Sequence, residues 1–131
     1  MRIAVATALA AVIATVINLA IEAFVRGAFA VSPDFEPYQG TVGPYTVGGV
    51  VLAAVAFVVV RRFARNVTAT YVGLAIVALV LSWIPDVALL ILRDPGATVP
   101  AVGSLMVMHA LTAVIVVVLL LRAARPSSPL S

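Results

Sequence analysis

The sequence predicts an all-α protein, a bundle of four transmembrane helices with the N and C termini cytoplasmic. Three observations carry that prediction. Of the 131 residues, 64% are hydrophobic and only 10% charged, more apolar surface than a soluble domain of this length can cover. The apolar residues gather into four long stretches, each near the ~20 residues that span a bilayer. The arginines sit at the ends of those stretches, not along one solvated face. A single integral membrane domain over 1–131 uses nearly the whole chain and leaves no room for a soluble one.

The first helix is expected over about 3–25, an apolar run whose strongly polar members are Asn18 and Glu22. Ala28, Phe29 and Ala30 have the small-x-small form of a leader-peptidase site, but the run is too long for a signal core, so a spanning helix is the better reading. An outer loop follows at 26–44, rich in helix breakers (Pro33, Pro37, Gly40, Gly43, Pro44) and flanked by Phe35, Tyr38 and Tyr45. Aromatic side chains suit the headgroup layer, so this loop reads as an interfacial flap or as a lid. The second helix, 45–60, carries Gly48, Gly49, Ala53, Ala54 and Ala56, small residues that let helix backbones approach in lipid. A basic turn at 61–66 leads to the third helix, 67–92, which contains Pro85 and is expected to kink there. Arg93, Asp94, Pro95 and Gly96 make a tight turn. The fourth helix, 100–121, starts with a proline in its first turn, where proline is well tolerated. Residues 123–131 read as a disordered tail.

Orientation follows from charge. Every basic residue is arginine, and the net charge is +3. Arg2, Arg61, Arg62, Arg65, Arg122 and Arg125 fall on one side of a four-span model, against Arg26 and Arg93 on the other. That bias places the arginine-rich side in the cytoplasm and the protein in the inner membrane as a multi-pass chain. The same distribution argues against nucleic-acid binding.

Few residues are left to carry chemistry. Ionisable groups inside lipid are costly, which singles out Asn18, Glu22, Asp86 and His109. At 1.5 Å per residue, Asn18, Asp86 and His109 lie roughly 10, 9 and 13 Å inside the outer helix ends, in one layer. Whether they share one face is open at this stage. Ser82 stands one turn before Asp86, and Arg93 about two turns after it, from where it could answer the carboxylate. Glu22 and Arg26 have the i, i+4 order that favours a helical ion pair, in line with Asn18. Pro85 removes an N–H and frees the carbonyl of Leu81, beside the acid.

The absence of cysteine excludes disulfides and thiolate metal sites. Met106 and Met108 fall on opposite helix faces and cannot easily share an ion with His109, so no metal site and no cofactor is expected. No nucleotide-binding loop, nucleophile elbow or zinc-protease motif is present. With Asn18, the run Leu81-Ser82-Trp83-Ile84-Pro85-Asp86, Gly96-Ala97-Thr98 and Leu105-Met106-Val107-Met108-His109 in view, the chain resembles a family of small four-helix membrane proteins of actinobacteria and haloarchaea, a domain of unknown function. The resemblance spans nearly the whole chain and implies architecture, not a reaction. The leading expectation is a non-enzymatic protein that binds a small molecule, a lipid or a proton in an outer-leaflet polar pocket of Asn18, Asp86, His109 and Ser82. The alternatives are a proton- or ion-coupled permease subunit acting as a homo-oligomer and an enzyme modifying a lipid or isoprenoid.

Overall fold

The computed structural model describes residues 2–125; residues 126–131, the greater part of the expected tail, lie outside the described residues. All regular structure among the described residues is helical, with four helices long and apolar enough to cross a membrane: α1 (Arg2–Phe29), α2 (Val42–Phe63), α3 (Val67–Ile91) and α4 (Val99–Ala124). A single 3-10 turn, Glu36–Tyr38, interrupts the first connection. Short connections make successive helices antiparallel neighbours. The six arginines at 2, 61, 62, 65, 122 and 125 therefore gather at one end of the bundle.

The helix ends differ from the expected ones for local reasons. α1 runs on to Phe29 and ends where Ala30 turns left-handed at φ 46°. Arg26 is thus a helical residue, not a loop residue. α2 begins at Val42, with Pro44 in its first turn, where the missing N–H costs nothing. Asn66 and Thr98 cap α3 and α4 by accepting hydrogen bonds from the amides of Ala69 and Ala101. α4 runs through residues 122–124, the last two of which were expected in the tail. At the end of α3 the amides of Arg93 and Asp94 donate to the carbonyls of Leu90 and Leu89, a Schellman closure with Arg93 at φ 55° in the position that usually takes glycine.

Close packing comes from α1. Its buried residues Ala6, Ala10, Ala14 and Asn18 recur every fourth position, a smooth stripe against which α4 and α2 both pack. α2 answers with Val42, Thr46, Val50 and Ala54 at the same spacing. Gly48 and Gly49 do not serve this role: a methyl group at either would meet nothing within 4 Å. α3 is the peripheral helix, with Tyr71 and Asp86 its buried residues, and it packs chiefly on α4.

Two apolar cores result. One, at the arginine-rich end, holds Phe57, Tyr71, Val116 and Leu120, with the Phe57 and Tyr71 rings edge to face at 4.7 Å. The other, at the proline-rich end, holds Phe35, Tyr38, Val42, Val102 and Met108. Two of the three loop aromatics are thus core residues and not interfacial anchors; Tyr45, 76% exposed, is the one that faces outward. The first connection is a plug. Tyr38 shares a hydrogen bond with Ser104 of α4, and Arg26 donates to the Tyr38 carbonyl while standing 5.1 Å from its ring. The α3–α4 connection closes over it: a methyl at Gly96, φ +77°, would come within 2.8 Å of the Phe35 amide nitrogen. Burial pushes the Tyr38 phenol above its ordinary 10.0, with Glu22 adding to the rise, while Ser104 and Arg26 offset part of it.

Candidate functional site at the α3–α4 seam

The layer of polar residues divides into two clusters. On the seam between α3 and α4, His109 Nδ1 and Asp86 Oδ2 are 2.9 Å apart. One turn earlier on each helix, the Trp83 indole donates to the Met106 carbonyl at 3.1 Å. These two contacts are the polar attachments of α3 to α4, while the Tyr71 hydroxyl ties α3 to the Ala53 carbonyl of α2. Asp86 is 8% exposed at its side chain, whereas His109 is 44% exposed. The carboxylate is therefore the inner member, and the imidazole stands at the bundle surface. An ionised Asp86 accepts from Nδ1–H, which fixes the ring and leaves Nε2 for another partner. Nε2 makes no hydrogen bond among the described residues.

Asn18 belongs to the other cluster. Its amide donates to Thr46 of α2 at 2.9 Å and to Thr112 of α4 at 3.0 Å. Thr46 passes its own proton to the Val42 carbonyl. Asn18 is 3% exposed, so three helices converge on one enclosed amide between the two apolar cores. Thr112 is three residues from His109, about 4.5 Å along the helix axis, so the two clusters do occupy one layer. The two clusters are nevertheless separate in their bonding, since Asn18 forms no hydrogen bond with Asp86 or His109.

The remaining expected site residues are placed as follows. Glu22 and Arg26 pair at 2.9 Å, and both hold the plug rather than the seam. Ser82 turns its hydroxyl back to the Leu79 carbonyl at 2.7 Å, a bond within its own helix. Arg93 does not answer Asp86: it closes the end of α3 and forms no ion pair among the described residues, while Asp86 is taken by His109. α3 is continuous through Pro85, which is exposed at the bundle surface. No three His, Asp or Glu side chains of the described residues come together as a metal-binding set. The first connection, expected as a lid, is buried at Phe35 and Tyr38 and hydrogen-bonded shut.

Sequence reasoning missed Thr46, Ser104 and the indole contact of Trp83. Thr46 was within reach, because it falls on the four-residue stripe of Val42, Val50 and Ala54 and so had to face the core. Ser104 was not, because its partner comes from a loop.

Fold and site together define a small multi-pass α-helical membrane protein that carries an aspartate–histidine pair at a helix seam. No protein-family model matches the chain, and no curated protein or solved structure matches it.

Proposed function

We propose that this is a non-enzymatic binding protein of the cytoplasmic membrane, with both termini inside, that uses the Asp86–His109 pair to hold the polar group of an amphiphilic molecule. The observation that carries this reading is the division of burial across one 2.9 Å contact: Asp86 inside, His109 at the surface. A polar ring at the apolar surface of a membrane bundle is expensive unless a partner takes its remaining nitrogen. A neutral ring held by Asp86 accepts a hydroxyl or amide proton at Nε2, and a protonated one donates to a phosphate or carboxylate with Asp86 as its counterion. The proposed site is thus a seam, open to the side, and Asn18 is left out of it. The resemblance to small four-helix membrane proteins of actinobacteria and haloarchaea is part of the proposal and adds no activity to it.

Orientation rests on the arginine count, six residues at one end against Arg26 and Arg93 at the other. A permease reading needs a polar path across the bundle. The hydroxyls of Thr7 and Tyr71 are instead bound to the carbonyls of Ile3 and Ala53. Lipid-modifying chemistry needs a nucleophile beside the pair, and Ser82 is turned away into its own helix.

The test is native mass spectrometry and absorption spectroscopy of the protein in mild detergent, wild type beside Asp86→Asn and His109→Ala. A stoichiometric amphiphile held by the wild type and lost by both variants is the expected result. The same ligand-free mass for all three would overturn the reading.

A further inference from the structure

We infer that the arginine-rich end of the bundle carries a seat for one anionic phospholipid, in the cleft between the start of α1 and the end of α4. The cleft has a volume of about 350 Å³ and is open to the side of the bundle. Its geometry follows from antiparallel packing. On α1, Arg2, Val5, Ala6 and Leu9 fall at i, i+3, i+4 and i+7, one stripe about 10 Å long. On α4, Leu119, Arg122 and Ala123 repeat the pattern in the opposite direction. The alanines keep the floor low, the larger aliphatic residues form the walls, and an arginine from each helix stands at the mouth. An acyl chain fits the first part of that description and a phosphate the second.

Charge decides the occupant. Every Asp and Glu of the sequence lies at positions 22, 34, 36, 86 or 94, toward the proline-rich end or within α3, so the side-chain charge of this end is arginine. The Arg122 guanidinium forms no ion pair among the described residues. Val5 and Leu9 are 62% and 48% exposed, so an apolar wall runs directly into the cationic mouth. A phosphodiester with its acyl chains satisfies both. A zwitterionic lipid brings its own cation and gains less, and a free phosphate leaves the apolar wall uncovered. The site is independent of the Asp86–His109 seam.

The experiment is native mass spectrometry of the full chain in detergent, titrated with dioleoyl phosphatidylglycerol and with dioleoyl phosphatidylcholine. The wild type should hold phosphatidylglycerol in preference. Arg122→Gln, at an exposed position, should weaken that hold by roughly fivefold. Leu9→Trp should block the cleft and weaken the hold with both arginines in place. Arg62→Gln, at the same end but outside the cleft, should leave it unchanged. Equal retention of the two lipids overturns the inference. So does an Arg62→Gln loss as large as that of Arg122→Gln, which would make the preference a general attraction to basic charge. Displacement of phosphatidylglycerol by soluble glycerol phosphate as readily as by the lipid itself would reduce the site to an anion site and overturn the lipid seat. Full retention by Leu9→Trp would do the same.

Discussion

Asn18 and Asp86 are both buried polar residues in one layer of the same bundle, yet they solve opposite problems. Asn18 is enclosed by three helices and uses its amide on the hydroxyls of Thr46 and Thr112. Asp86 sits behind a surface histidine and gives that histidine a fixed orientation. The first arrangement spends its amide protons within the chain and leaves Oδ1 enclosed without a partner. The second ends in a ring nitrogen at the surface of a membrane helix pair. A polar group buried in lipid earns a functional reading by where its last hydrogen bond goes, and by that measure Asn18 is a fastener and Asp86 a support.

The largest effect should come from breaking the fastener. Asn18→Leu keeps the branched outline of the side chain but removes two interhelical bonds and strands the Thr112 hydroxyl. Interhelical hydrogen bonds in membranes are worth about 0.6 kcal/mol on average and about 1.7 at most, so a loss of about 1–3 kcal/mol is expected in denaturant unfolding from detergent. Asp86→Asn should be milder, below about 1 kcal/mol, because an amide oxygen still accepts from Nδ1–H. A variant as unstable as Asn18→Leu would place Asp86 among the structural residues and cancel the contrast. A double-mutant cycle sharpens the point further. Asn18 and Thr112 should couple by about 0.6 kcal/mol, whereas Asn18 and His109, with no shared partner, should be additive within about 0.3 kcal/mol.

The sequence made the four spans legible because apolar length and the placement of arginines are one-dimensional properties. The polar layer was legible too, since depth along a helix is a residue count. Faces were not. Asn18, Asp86 and His109 looked like one trio because each is a single polar residue in an apolar run, and a run that is apolar all round carries little record of which side turns inward. Helix 1 did carry one, in the alanines at 6, 10 and 14, whose small size marks the close approach and whose stripe leads to Asn18. The role of Arg93 was misread for a related reason: proximity in sequence suggested an ion pair with Asp86, but the helix ends at Ile91 and Asp86 is paired with His109 of the neighbouring helix. The plug was beyond reach, because a loop of prolines and aromatics reads the same whether it lies on a membrane or folds into a core.

The smallest expected effect tests whether the Asn18 node is truly closed. The Thr15 hydroxyl is buried without a hydrogen-bond partner, and so is Asn18 Oδ1, three residues on along the same face. If the node consists of Asn18, Thr46 and Thr112 alone, the Thr15 hydroxyl contributes nothing to it. Thr15→Val, which exchanges that hydroxyl for a methyl of similar size, should then raise stability slightly, by less than about 0.5 kcal/mol, because the separated helix in lipid carries the same group and finds partners of its own. Thermal unfolding in detergent reads the sign directly. A clear loss of stability would mean that Thr15 is coupled to Asn18 Oδ1 through a bridging group. The node would then extend a full turn toward the arginine-rich end. Asn18 would no longer be a closed fastener but the start of a polar chain inside the bundle, and the contrast with Asp86 would have to be drawn again.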